Sequence, residues 1–352
     1  MADDEPAAAN PKPATIKTIA RALSLSPSTV SRGLQGDSSV TPKTRARIIE
    51  AADRLDYRRD LRGVNLRTGK TFTLCAILAS NPSQEFGDPA AMHLIQGLIA
   101  GVEGTDFKIV MRPVEGTDRR LEAVREAVIN SRFDGVILDH TEPQDPAILY
   151  LLERRTPFVT FGRTELFIEH PYFDIDNEQA AFVATRHLIE HGHERIALIG
   201  PPAHFLFSRQ RLRGYRRALE QASLPLADHL VVQSPIGARW VRETTSRLLA
   251  LRKPPTGFVT SNEVATMGAI AACRALPQEE FARTLFVSRD GTNFFDYYEP
   301  PVSSCFYPLL DAGQALATAL VQAVEGVPVA ALQRVEQTEL IRRPHRNIGE
   351  TI

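Results

Sequence analysis

The amino-acid sequence predicts a small all-α head, a helix-turn-helix, followed by a larger α/β body of two doubly wound parallel-sheet lobes. Three observations carry this. Residues 15–57 set apolar side chains at helical spacing between good capping residues. From residue 71 onward, short β-branched runs alternate with helical segments, the pattern of parallel strands joined by crossover helices. The charge divides in the same way. Residues 15–70 hold three Lys and nine Arg against one Glu and four Asp, a net of +7, while the whole chain of 352 residues has a formal charge of −1. A compact basic head on an acidic body points to a polyanionic partner for the head.

What lies outside these two parts is brief. Residues 1–14 are acidic and Pro/Ala-rich and read as a disordered tail, with neither a basic n-region nor an apolar h-region of a signal peptide. The sequence holds no run of about eighteen apolar residues, so no membrane partner is expected. Cys75, Cys273 and Cys305 are odd in number and widely spaced, with no CxxC, which fits buried thiols in a cytoplasmic protein better than a disulfide framework or zinc site.

In the head, Thr15 suits an N-cap for a helix over Ile16–Leu23, with Ile16, Ile19, Ala20 and Leu23 on one face. Ser24 and Leu25 interrupt it. Ser26 caps a second helix with Pro27 at its first position, where a missing N–H is harmless. Val30 and Leu34 face inward, and Ser28, Thr29, Ser31 and Arg32 are left outside. Thr41 and Pro42 start a third helix with Ile48, Ile49, Ala52, Leu55 and Tyr57 toward the core. A second helix of this kind enters the major groove by its N-terminal end. Small hydroxyls permit close approach to phosphates, and an arginine can contact guanine bidentately, worth about 1–3 kcal/mol of discrimination. A small helical bundle with no DNA role is the bland alternative.

The runs T-I-K-T-I-A, S-P-S-T-V-S-R and V-T-P-K-T-R-A-R-I, followed by L-D-Y, resemble the DNA-binding head of the lactose-repressor (LacI/GalR) family of bacterial regulators. The resemblance implies that Pro27, Ser28 and Arg32 occupy base-reading positions and Ser26, Thr29 and Ser31 phosphate-contacting ones. Two departures stand in the head. The usual Ala-Gly turn is Leu23-Ser24, and Gly33 replaces an apolar residue near the end of the second helix, where glycine weakens a helix by roughly 0.5–1 kcal/mol. Residues 58–70 then match the family's hinge, which forms a helix on the operator. Leu66 matches the leucine that wedges into the minor groove at the centre of the site. A plain charged linker is the competing reading of this stretch. Gly63 stands where an alanine is usual, and Arg59-Asp60 replaces Pro-Asn.

Strands of the body are expected at 73–79, 107–111, 135–138, 158–161, 172–175, 195–199, 229–232, 257–260 and 285–288. These are too many for one small sheet, so two lobes follow, with ligands bound beyond the carboxyl ends of the strands. The blocks DIDNEQAA, HLIEHGHERIALIGPP, SRQRLRGYRRALE and TSNEVATMGAIAACRAL resemble the same family, whose body is similar to periplasmic sugar-binding proteins. With the head, the resemblance spans roughly residues 15–343. It implies three lobe crossings, hence an N-terminal lobe of 71–175 plus 306–333 and a C-terminal lobe of 176–305 plus 334–345.

For the cleft, the resemblance places Arg211 as the arginine that clamps the effector, and a planar guanidinium suits vicinal hydroxyls or a carboxylate. Asn262 opens a helix after a strand, with an amide that both donates and accepts. Asp290 follows a strand and can accept from sugar hydroxyls. An Arg211–Asp290 ion pair is the structural alternative. From the other lobe, Arg163 in T-F-G-R resembles members responding to glucosides, and Phe86 could stack on a pyranose ring. Phe205, with His204 and Phe207, falls at the expected cleft mouth, and Trp240 is either ligand-adjacent or core. His191-Gly-His193 lacks further ligands at metal spacing, Asp174 and Asp176 fall at a lobe crossing, and no GxSxG, P-loop or GxGxxG occurs. The expected protein is therefore a cytoplasmic transcriptional repressor without cofactor, metal or catalytic residues. As a homodimer it binds a pseudo-palindromic double-stranded DNA operator under control of a small molecule, a carbohydrate. A stand-alone sugar-binding receptor, a sugar-processing enzyme and an architectural DNA protein are the competing readings. The C-terminal IRRPHRNIGETI has no leucine heptads for a tetramerisation helix.

Overall fold

Local sequence sets the head's helix ends. The computed structural model describes residues 14–34, 36–57, 69–80, 89–130, 132–233 and 237–343. Helices α1 (Ile16–Leu23), α2 (Pro27–Leu34) and α3 (Pro42–Arg54) form the head. Thr15 Oγ1 accepts from the Thr18 N–H at 3.3 Å while Thr18 Oγ1 accepts from the Thr15 N–H at 3.2 Å, a reciprocal cap. Ser24 ends α1 in the left-handed region at φ 53°, its N–H donating to the Ala20 and Arg21 carbonyls. The altered turn therefore keeps the backbone shape that glycine adopts without strain. Thr41 Oγ1 caps α3, accepting from the Thr44 N–H at 3.3 Å.

Ile19, Val30 and Ile48 are fully buried at the centre of the head, with Ala20, Val40, Ala51 and Ala52 around them. Ile49, expected in this core, is 47% exposed. Ile48, Ala52 and Leu55 share one helical face, and Ile49 lies about 100° away. Gly33 also has a packing role. Gly33 is buried within α2, and a Cβ there would lie 2.5 Å from Ile48 Cδ1. The missing side chain lets α2 close on α3. The hinge, with Gly63 and Leu66, lies outside the described residues.

The body begins with β1 (Thr73–Ala79), β2 (Lys108–Val114), β3 (Gly135–Leu138), β4 (Phe158–Phe161) and β5 (Tyr172–Ile175), interleaved with α4 (Pro89–Ala100), α5 (Thr117–Ile129) and α6 (Pro146–Glu153). Next come α7 (Asn177–Glu190), β6 (Ile196–Gly200), α8 (Leu206–Gln221), β7 (Val231–Gln233), α9 (Ala238–Leu249), β8 (Gly257–Thr260), α10 (Glu263–Cys273), α11 (Gln278–Ala282), β9 (Leu285–Asp290) and β10 (Ser303–Phe306). The described chain closes with α12 (Leu309–Val324), β11 (Gln333–Glu336) and β12 (Glu339–Ile341).

Among the described residues, two six-stranded sheets result, ordered β2-β1-β3-β4-β5-β11 and β7-β6-β8-β9-β10-β12. Every pairing is parallel except β12 against β10. In each sheet the order reverses beside the first strand, the switch point where ligands of such folds bind. Strands β1, β3, β6 and β8 are buried nearly throughout because helices cover both faces.

In the first lobe, α4 and α12 cover one face, with Leu94, Leu98, Leu316 and Leu320 in the core. A Cβ on Gly97 would lie 2.0 Å from the Leu310 carbonyl oxygen, so these two helices touch backbone to backbone. In the second lobe, α7 and α8 cover one face and α9 and α10 the other. The chain leaves the first lobe after Ile175, returns after Phe306 and crosses again between Glu336 and Glu339. The expected division is corrected at two edges. Phe306 pairs with Asp290 and Glu339 in the second sheet, and residues 334–336 pair with β5 in the first. The short β10, β11 and β12 carried too little pattern to be read from sequence.

Candidate functional site

On the head, the N-terminal end of α2 is exposed at Ser26, Pro27 and Ser28, with Thr29 and Ser31 half-buried and Arg32 exposed. Ser26 Oγ accepts from the Thr29 N–H at 3.1 Å and sits 2.8 Å from both Ser28 Oγ and Thr29 Oγ1. The three hydroxyls thus form one cluster over the helix start, where backbone N–H groups and the helix dipole favour phosphate. Arg32 Nη1 donates to Ser39 Oγ at 3.3 Å, which leans its side chain along the loop after α2. Arg45, unremarked in the sequence reading, donates to the Gly36 and Asp37 carbonyls at 2.9 and 2.8 Å and fixes that loop. The structure therefore gathers all six described DNA-binding candidates on α2 and its cap. Leu66 lies outside the described residues.

In the body, the carboxyl ends of β6, β8, β9 and β10 frame a narrow cavity against Ala180, Ala181 and Ala184 of α7. Arg211 reaches it from α8. Its Nε donates to Asn177 Oδ1 at 2.9 Å, its Nη1 to the Ser261 carbonyl at 3.1 Å, and its guanidinium lies 5.2 Å from the centre of the Phe207 ring. Asn177, buried at the lobe crossing, holds its own amide by donating to the Ile175 carbonyl at 2.8 Å. Burial, and then the Arg289 charge, push Arg211 down to about 9, which leaves it cationic at neutral pH. Ser261 Oγ is buried on the cavity wall with no hydrogen-bond partner among the described residues.

Asn262 and Asp290 have other roles here. Asn262 Oδ1 accepts from the Ala265 N–H at 2.9 Å as the N-cap of α10, so only its amide nitrogen is left to donate. Asp290 is fully buried and stands outside the cavity lining. Its Oδ1 accepts from the Thr292 N–H at 3.0 Å and its Oδ2 from Ser304 Oγ at 3.3 Å. Neither an ion pair nor a hydrogen bond joins Asp290 to Arg211, which removes the structural alternative. Glu263, missed in the sequence, is 2% exposed beside Asp290 and accepts from the Gly291 N–H at 3.0 Å and Thr292 Oγ1 at 3.1 Å. Burial, and further the neighbouring Asp290, raise the Glu263 carboxyl to about 7 against the Gly291 bond. Arg289 was also missed. The signal for it was its place at a strand's carboxyl end, where it lines the cavity.

Arg163 lies at a second, polar and more open cleft between the lobes, lined also by Glu165, Asp176, Gln179, Gln210 and Arg213. Its Nε donates to Asp174 Oδ2 at 2.6 Å. Burial lifts the Asp174 carboxyl above its ordinary range despite that partner. Asp176 caps α7 through the Gln179 N–H at 2.9 Å and accepts from Gln337 Nε2 at 3.1 Å, tying two crossings together.

Phe205 precedes α8 and stacks on Phe207 with ring centres 5.5 Å apart. His140, from the loop after β3 of the first lobe, meets both rings edge-on at 5.3 and 5.4 Å. The Leu206 N–H donates to the Thr141 carbonyl at 2.9 Å across the same junction. The buried Arg120 fixes this loop, with Nη1 on the Asp139 and His140 carbonyls at 2.9 and 2.7 Å and Nη2 on Asp145 Oδ2 at 2.6 Å. Phe86 lies outside the described residues. Trp240 packs on the second-lobe core. His191 and His193 bond to the His187 carbonyl and Thr256 Oγ1, at 2.7 and 2.8 Å.

Comparison with known proteins joins these two sites. Residues 15–60 match the family described as bacterial regulatory proteins, lacI family, and residues 185–344 match the periplasmic binding protein-like domain. The HTH-type transcriptional regulator AglR of Rhizobium meliloti (strain 1021) is 34% identical over 270 residues, 74% of this chain and 73% of AglR. The HTH-type transcriptional repressor CytR of Escherichia coli (strain K12) is 23% identical over 330 residues, 94% of this chain and 95% of CytR. Among solved structures, the transcriptional regulator CelR–cellobiose complex aligns with a TM-score of 0.69 at 25% identity, covering 94% of this chain and 99% of that one. The lac repressor dimer bound to operator and the anti-inducer ONPF aligns with a TM-score of 0.72 over 94% of this chain and 98% of that one. At 21% identity it attests the fold alone.

Proposed function

Because the chain belongs to the LacI family of bacterial regulatory proteins, we propose that it is a cytoplasmic repressor whose operator affinity is set by a small hydroxylated molecule, a carbohydrate, bound in the body. The observation that carries this reading is the held geometry of Arg211. Asn177 at a lobe crossing and the Ser261 carbonyl at a strand end fix its guanidinium at the cavity. A ligand gripping Arg211 therefore acts on a residue at which the chain passes between lobes. The CelR–cellobiose complex supports a sugar as the ligand class.

On the head, Pro27, Ser28 and Arg32 read bases while Ser26, Thr29 and Ser31 meet phosphates. Two heads of a homodimer bind a pseudo-palindrome. Residues 58–70 form the hinge, with Leu66 as its wedge. The lobes comprise 71–175 with 307–336 and 176–306 with 337–343. The chain carries out no catalytic step. Arg163 borders the polar cleft, and Phe205 with Phe207 closes the junction against His140. Ligand binding shifts the balance between two lobe arrangements, and linkage makes the effect reciprocal with operator binding, about 1–3 kcal/mol in coupling.

A thermal-shift screen of sugars on the full chain tests this. A ligand at 100 times its dissociation constant should add about 2.7 kcal/mol. Arg211→Ala should abolish the shift while operator binding persists without responding to the ligand, and Arg32→Ala should do the reverse. A hit that stabilises the body yet leaves operator affinity unchanged would remove the regulatory half of the reading.

A further inference from the structure

The cavity is lined by two arginines from different elements, Arg211 on α8 and Arg289 at the end of β9. Among the described residues, neither has a carboxylate within ion-pair distance. Arg211 donates only to an amide oxygen and a backbone carbonyl, and Arg289 Nη1 donates to the Asp290 carbonyl. The charges around them are few. Asp174 faces Arg211 but its carboxylate is engaged by Arg163 at 2.6 Å. Glu263 and Asp290 face Arg289, and both are tied to the Gly291–Thr292 turn. Burial pushes both cavity arginines down, and Arg211 is lowered further by Arg289, so an anion between them relieves a repulsion already present.

Neutral donors and acceptors complete the wall. Ser261 Oγ is buried there without a partner among the described residues, and Ser208 Oγ is held by the Pro201 carbonyl and Gln233 Nε2, both at 2.8 Å. A guanidinium fork suits the oxygens of carboxylate or phosphate, whereas a neutral sugar would leave two like charges facing each other.

We propose that the effector is anionic: a hydroxylated small molecule bearing a phosphate or carboxylate group, which lies between Arg211 and Arg289. This rests on the reading of the cavity as the effector site and narrows the ligand class it accepts.

Isothermal titration of the full chain with glucose 6-phosphate, gluconate, maltose and inorganic phosphate tests it. At least one of the two anionic sugars should bind tenfold or more tightly than maltose, and its affinity should fall as salt is raised. The better of the two separates phosphate from carboxylate as the recognised group. Arg289→Gln should weaken that binding tenfold or more, and Arg289→Lys should restore most of it, which distinguishes lost charge from lost folding. Maltose binding as tightly as both anions overturns the proposal and leaves the sugar-effector reading intact. So does anion binding unchanged in Arg289→Gln. A protein that takes up none of the four overturns the effector-site reading and the proposal together.

Discussion

Replacing Arg120 by methionine isolates the buried pair that shapes the cleft mouth. Arg120 and Asp145 have side chains 4% and 1% exposed and meet at 2.6 Å. Methionine keeps the stem's packing and removes the charge. The Asp139 and His140 carbonyls then lose their guanidinium donor, and the Asp145 carboxylate keeps only backbone N–H donors from Glu142, Ala147 and Ile148. Breaking one side of a buried pair typically destabilises by about 3–5 kcal/mol, and the surviving backbone bonds place the expected loss at the low end, about 3 kcal/mol. Asparagine at 145 keeps the cap of α6 and removes the orphaned charge, so Arg120→Met/Asp145→Asn should recover at least about 1 kcal/mol. Urea unfolding followed by circular dichroism measures both, and the single Trp240 reports on the second lobe in the same titration. The same variant should weaken ligand binding, because the loop that presents His140 to Phe205 and Phe207 loses its anchor. An Arg120→Met protein within about 1 kcal/mol of the parent would refute the reasoning, as would a double variant no more stable than the single one.

Ser24→Gly should stabilise the head by about 1 kcal/mol, since φ 53° strains a residue with a Cβ, and hydrogen exchange of α1 amides reads this in the intact chain. Gly214→Ala should destabilise the body by about 1–3 kcal/mol and loosen ligand binding, because a Cβ there would lie 1.9 Å from the Glu178 carbonyl oxygen and force α7 from α8. A melting curve and a titration check it together. Glu263 gives a pH signature. Its folded value of about 7 lies above the ordinary 4.5, so the native state binds the extra proton. The stability this contributes is complete below 4.5 and is lost as pH rises through about 7. Glu263→Gln should flatten that slope, and melting temperatures across the window would show an unchanged slope if the carboxyl were already ionised.

The sequence by itself determined the head almost entirely. Capping threonines, Pro27 and Pro42 at first helical turns, and a 3.6-residue apolar period are local signals, and three helices followed from them. Its charge excess named a polyanion, and the α2 surface followed from which positions were left polar. In the body, alternation alone placed most strands and both lobes, because strands buried on two faces read as unbroken apolar runs. Tertiary structure decided the rest, since the rest depends on residues far apart in the chain. The three short strands after residue 300 gain their hydrogen bonds only from a sheet already formed. The contact of Gly33 with Ile48 joins two helices and shows in neither one's sequence. Asp290 and Asn262 read as ligand groups from their places after strands, but the turn at Thr292 and the start of α10 claim their oxygens. Arg289 and Asn177 carried no motif of their own. The fold brings one into the cavity that Arg211 enters and the other into contact with Arg211 itself, and the balance of charge in that cavity belongs to no single stretch of sequence.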